Sequence, residues 1–147
     1  MLRVYLGGSM GGRDAQEVIK EREHASAVCT KYGIMPIDPG RLEKRQWKRK
    51  ISLKLSQRVM DGFVDKDLFL IRRSDVLLVL TADTCTDGTW VEKTYAKMIG
   101  LPVVIVAPKR ATKKLIGWTN SKRWTDKVCP DVESAIRYIA KTWGTND

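Results

Sequence analysis

The sequence predicts a single doubly wound α/β domain over residues 1–147, a flavodoxin- or Rossmann-like, mostly parallel sheet of four to five strands flanked by helices. Three observations predict it. Strand-length apolar runs alternate with helical stretches along the chain. The segment from Val76 to Leu80 is continuously apolar, as a parallel strand covered on both faces must be. A glycine-rich turn joins the first strand to the first helix, where open α/β sheets take their ligands.

Leu2 to Leu6 is read as the first strand, followed by the turn Gly7 to Arg13. Asp14 then caps a helix running to about Lys31, with Val18, Ala25 and Val28 on its buried side. Gly33 ends that helix, Ile34 to Ile37 forms a second strand, and Asp38-Pro39-Gly40 is a turn. One or two helices follow as far as Arg72, and within them Trp47, Ile51, Leu55 and Val59 recur every four residues as a core stripe. Val76 to Thr81 is the third strand, a helix runs from near Thr89 to Gly100, and Leu101 to Val106 is the fourth strand. Asp131 to Thr142 is the last helix. Residues 109 to 129 are polar, basic and without periodicity, and are read as a long functional loop or a partner-facing segment. Right-handed crossovers place the first strand centrally, with the second on one side and the third on the other. The ligand crevice is then bounded by Gly7 to Arg13 and by Ala82 to Glu92.

Charge adds a second layer of information. The chain has 27 Lys plus Arg against 17 Asp plus Glu, a net +10. The excess sits in residues 41–58, with eight basic groups and one acidic, and in 109–127, with seven and one. Such clusters attract phosphate, free or polymeric, but they also suit a solvated helix face and a basic loop. Trp47 among lysines and arginines fits a base-stacking platform as well as a core position. No apolar run approaches the ~20 residues of a membrane span. No secretory pattern is read at the start of the sequence, and three widely spaced cysteines, 29, 85 and 129, fit a reducing compartment, so a cytoplasmic location is expected. Cys85 is read as an inert loop thiol. His24 lacks a Cys or His partner at ligand spacing, so neither a metal nor a cofactor is expected.

Two loops carry the chemistry. The first, Gly7-Gly8-Ser9-Met10-Gly11-Gly12-Arg13, lets backbone N–H groups approach an anion near a helix N-terminus, although a four-glycine turn also serves simply as a connection. The second ends in Thr86-Asp87-Gly88-Thr89-Trp90-Val91-Glu92. Thr89 and Glu92 read either as a capping box with no further role or as a helix start that presents a carboxylate to the crevice. On the first turn of a helix that carboxylate is expected to be ionised.

The order and spacing of these pieces resemble the nucleoside 2-deoxyribosyltransferase family. The match comprises Val4-Tyr5-Leu6-Gly7-Gly8-Ser9, Asp67-Leu68, Ser74-Asp75, Asp87-Gly88-Thr89 with Glu92, and Tyr95-Ala96 ahead of Gly100-Leu101-Pro102-Val103. The resemblance implies that Glu92 attacks the anomeric carbon and expels the base, that Tyr5 orients it, and that Asp67 protonates the leaving base. Each also has an ordinary structural reading, Tyr5 as a strand aromatic and Asp67 as a helix-surface residue beside Lys66 and Arg72. Asp75 is expected to fix the turn into the third strand.

Within that family the pattern is closest to the 2′-deoxynucleoside 5′-phosphate N-hydrolases. Gly8, Ser9, Met10 and Gly12 resemble the phosphate turn of that branch. Thr86 stands where a phosphate-binding hydroxyl is implied, near Gly88, and Asn120 and Ser121 match residues reaching the phosphate from a neighbouring subunit, so a homodimer or higher homo-oligomer is expected. Gly11 replaces an arginine of that branch, which leaves Arg13 to supply the charge. Lys93 and Thr94 also depart from the pattern, and a lysine reaching Glu92 would keep it ionised. The implied reaction is hydrolysis of nucleoside 5′-monophosphates through a glycosyl-Glu92 ester. The alternatives are base exchange on free deoxynucleosides and, from a different class, a non-catalytic nucleotide- or nucleic-acid-binding protein.

Overall fold

The computed structural model describes residues 1–8, 13–40, 57–80, 87–107 and 124–145, with the side chains of 57–61, 63, 87 and 88 excepted. The Trp47, Ile51 and Leu55 stripe and most of both basic clusters lie outside the described residues.

The elements in chain order are β1 (Arg3–Gly7), α1 (Ala15–Lys31), β2 (Met35–Ile37), α2 (Gln57–Arg72), β3 (Val76–Val79), α3 (Asp87–Met98), β4 (Val103–Val106), β5 (Lys127–Cys129) and α4 (Val132–Trp143). The five strands pair in the order β2-β1-β3-β4-β5, and every pairing is parallel. The first strand lies between the second and third, as the crossover argument requires. Val4 to Gly7 of β1 lie in register with Val76 to Val79 of β3, so both strands end at the same level.

Side chains alternate between two packed layers. Val4, Leu6, Val76, Leu78 and Val104 point to one face, where they meet Ala25, Val28 and Cys29 of α1 and Ala135, Ile136 and Ile139 of α4. Tyr5, Leu77, Val79, Val103 and Ile105 point to the other, against Ile71 of α2 and Ala96 of α3. All four β3 residues are buried, which accounts for their unbroken apolar run.

Local signals act as read. The Asp14 carboxylate accepts from the N–H groups of Gln16 and Glu17 at 2.9 and 3.0 Å and so caps α1. Gly33 follows the helix at φ 68°, a left-handed conformation that favours glycine. Asp75 accepts from the Arg3 backbone N–H at 2.8 Å and pairs with its guanidinium, fixing the entry to β3. Asp38-Pro39-Gly40, expected as a turn, has Pro39 and Gly40 already helical, with Gly40 N–H donating to the Asp38 carboxylate at 2.9 Å. Two further expectations need correction. Residues 127–129, expected within a long loop, form β5: Asp126 accepts from Val103 N–H at 2.7 Å and from Lys97 at 2.8 Å, which seats the segment beside β4. The helix expected from Thr89 starts by Asp87, so Thr89 lies inside α3, buried, and is not an N-cap.

Candidate active site

The strands β1 and β3 end together, and Leu80 N–H donates to the Gly7 carbonyl at 3.1 Å, closing the sheet edge on which the site is built. Tyr5 is fully buried on the α2/α3 face of β1, and Gly7 lies two residues further along the same face. The Tyr5 hydroxyl donates to Glu92 Oε1 at 3.3 Å across 87 residues of sequence. The carboxyl group lies directly over Gly7, where a Cβ would stand 2.8 Å from Glu92 Oε2. A Cβ here would force the carboxyl group to shift, so glycine is favoured by close approach rather than by backbone dihedral. Oε2 is buried and has no hydrogen-bond partner among the described residues. One oxygen is therefore held by Tyr5, and the other rests over Gly7.

Glu92 is in the second turn of α3, beyond the reach of the helix-end dipole, which corrects the expectation of a capped, ionised first-turn carboxylate. Burial first, and the negative charge of Asp67 second, push its pKa from 4.5 up to about 8; Arg22 and the Tyr5 hydroxyl oppose the rise. Glu92 thus carries a proton at neutral pH in the free protein. The same burial, with Glu92 and Asp67 nearby, drives the Tyr5 phenol far above its ordinary range, so it stays a hydrogen-bond donor. Lys93, beside Glu92 in sequence, is buried with its ammonium 5.1 Å from the centroid of the Trp90 ring.

Asp67 comes from α2, on the same side of the sheet as α3, with one carboxylate oxygen shielded from solvent. The structure therefore brings together Tyr5, Asp67 and Glu92 from β1, α2 and α3. Gly8 leaves β1 at φ 125°, a value that favours glycine, and opens the turn. Arg13 closes it, forking both terminal nitrogens onto the Glu21 carboxylate at 3.1 Å. Gly88 lies in the first turn of α3. Ser9, Met10, Gly12, Thr86, Asn120 and Ser121 lie outside the described residues.

Three groups escape a reading of the sequence. Gly7 reads there only as part of a turn, and its role depends on what lies above it. Arg22 of α1 is buried and donates to the carbonyls of Leu6 at 2.6 Å and Gly8 at 3.3 Å, and to the Asp38 carboxylate at 3.0 Å. A signal existed, since Arg22 interrupts the buried stripe Val18, Ala25, Cys29 at helical spacing. Asp38, which reads as a turn former, accepts from both Arg22 and Gly40 N–H.

Solved structures match this architecture over 72% to 96% of the chain. A conserved protein from Enterococcus faecalis superposes with a TM-score of 0.59 at 15% identity, covering 96% of this chain and 98% of its own. The Clostridium botulinum CMP N-glycosidase BcmB superposes at 0.57 with 10% identity, covering 95% and 98%. A 2-deoxyribosyltransferase from Bacillus psychrosaccharolyticus superposes at 0.51 with 20% identity over 72% of each chain. The fold is that of the nucleoside 2-deoxyribosyltransferases. By sequence, neither a family model nor a curated protein matches the chain. No described helix is long and apolar enough to cross a membrane.

Proposed function

We propose that the protein cleaves the N-glycosidic bond of nucleoside or deoxynucleoside 5′-monophosphates, releasing free base and sugar phosphate. The observation that carries this reading is the Glu92 carboxyl group, gripped through one oxygen by Tyr5, resting on Gly7 with its other oxygen unpartnered, and influenced by the charge of Asp67. Glycosyl transfer needs an anion at the anomeric carbon and a proton for the departing base. A carboxyl pair holding one proton supplies both.

In this mechanism the Glu92 proton passes to Asp67 as substrate fills the site. A Glu92 oxygen then bonds to C1′ while the C1′–N bond breaks, its electron pair going to the base nitrogen and the Asp67 proton following it. Water, deprotonated by Asp67, opens the glycosyl ester and regenerates Glu92. The buried Tyr5 hydroxyl remains protonated throughout and holds Oε1. The 5′-phosphate is assigned to the turn begun by Gly8, with Ser9, Met10, Gly12, Arg13, Thr86 and Gly88, and with Asn120 and Ser121 supplied by a second subunit. The likeness to a protein described as a CMP N-glycosidase supports the nucleotide reading. The likeness to a 2-deoxyribosyltransferase supports a second, in which a free base replaces water as acceptor.

A panel of nucleotides and nucleosides, with free base identified by chromatography, tests the proposal. Release from monophosphates, lost in Glu92→Gln and in Asp67→Asn, is expected. Release only from unphosphorylated deoxynucleosides in the presence of a second base selects exchange, and turnover retained by Glu92→Gln refutes the mechanism.

A further inference from the structure

The site is built on the α2/α3 side of the sheet, yet one side chain reaches its floor from the opposite layer. Arg22 belongs to α1, whose neighbours Ala25, Val28 and Cys29 pack on the other face, and its guanidinium curls over the C-terminal edge of β1. There it holds the Leu6 and Gly8 carbonyls, on either side of Gly7, and the Asp38 carboxylate at the end of β2. The side chains of Arg22 and Asp38 are 4% and 8% exposed. A buried pair of this kind is weak evidence for stability, because desolvating both charges offsets their attraction, so its geometry calls for another explanation.

We propose that Arg22 is a positioning residue of this site: by gripping the carbonyls that flank Gly7 and tying them to Asp38, it fixes the surface on which Glu92 rests. The proposal rests on the reading of Glu92 as the group that meets the sugar. Its geometric logic is direct. The Leu6–Gly7–Gly8 backbone is the floor beneath Glu92 Oε2, close enough that an added Cβ at Gly7 would stand 2.8 Å from it, so a rotation of that backbone bears on the carboxyl group and on its hydrogen bond to Tyr5. A planar fork with fixed donors can hold two carbonyls and a carboxylate at once, whereas a lysine ammonium on a flexible stem cannot reproduce that arrangement. The charge matters as well. Glu92 is faced by the Tyr5 phenol from β1, by Asp67 from α2 and by Arg22 from α1, with Lys93 next to it on its own helix, and of the first three only Arg22 is cationic.

Three variants separate geometry from charge. Arg22→Lys keeps the charge and breaks the fork; kcat for base release is expected to fall about ten- to a hundredfold with KM little changed, because misplacement and not affinity is affected. Arg22→Gln removes the charge, and Asp38→Asn leaves Arg22 less compensated. In substrate-free protein with isotopically labelled glutamate carboxyls, the Glu92 midpoint is expected to move up by about one pH unit in Arg22→Gln and down in Asp38→Asn. The alkaline limb of the kcat/KM profile, where the carboxyl pair loses its proton, should follow in the same two directions. Wild-type kcat in Arg22→Lys, or a Glu92 midpoint unmoved in both charge variants, overturns the proposal. The titration reads Arg22 without turnover, so a protein that released no base from any nucleotide would refute the proposed function and still leave the Arg22 coupling decided.

Discussion

Replacing Glu92 by Gln should make the protein more stable, and increasingly so as the pH rises. The unfolded chain releases the Glu92 proton near 4.5, while the folded chain holds it until about 8. Between those values the native state binds more protons than the unfolded state, so this group takes stability away with rising pH. The loss begins as pH passes 4.5 and is complete above about 8. Its limiting slope is ~1.4 kcal/mol per pH unit for one proton. Glu92 retains some contact with solvent, so the sum over the window is a few kcal/mol rather than the full product. The glutamine side chain mimics the protonated acid and never ionises. Its carbonyl can accept from Tyr5 as Oε1 does, and any fixed packing cost appears equally at every pH. Thermal unfolding of both proteins from about pH 4 to 9 isolates the effect, since groups not coupled to Glu92 cancel in the difference. With ~2–4 °C of Tm per kcal/mol in a chain of about this size, Glu92→Gln should gain several degrees on the wild type between pH 4.5 and 8. Parallel melting curves across that range would refute the assignment of a buried, neutral Glu92.

Two further substitutions probe the same contact. Gly7→Ala sets a methyl group 2.8 Å from Glu92 Oε2 and 3.1 Å from Leu77 Cδ1; chemical denaturation should report a loss of ~1–3 kcal/mol with the fold kept, and steady-state kinetics a much larger loss of kcat. Tyr5→Phe removes the donor to Oε1 at a cost of ~1–3 kcal/mol, and because that hydrogen bond holds the Glu92 pKa down, the midpoint in a carboxyl titration should rise above 8.

What the sequence disclosed and what it hid divide along physical lines. Signals written in a few adjacent residues were legible: the Asp14 cap, the Gly33 stop, the buried run of β3 and hence the place of β1 between its two neighbours. Tyr5 and Glu92 came through family resemblance, and their contact needed coordinates because it joins β1 to α3. Strand β5 was hidden because three residues, one of them exposed Lys127, carry no readable alternation; Asp126 and the edge of β4 make it a strand. The ionised state expected of Glu92 fails because Thr89-x-x-Glu92 imitates a helix start, whereas α3 has begun by Asp87 and burial governs the carboxyl. The contacts of Gly7 and Arg22 were not legible, although Arg22 stood out as a charge in the buried stripe of α1, since close approach and a reach across layers exist only once the sheet is assembled.

The spatial order of the strands has a kinetic consequence. β1 comes first along the chain yet needs β2 on one flank and β3, from much later in the sequence, on the other. Until Val76–Val79 arrives, one side of that ribbon has no mate, Gly7 has no lid, and Arg22 grips an unfinished edge. Closing so long a loop is slow in entropic terms. The contact between Tyr5 and Glu92 therefore cannot precede the body that carries it: chain segments lacking the second half cannot make it, and it should form only once β3 and the helix after it have docked on β1.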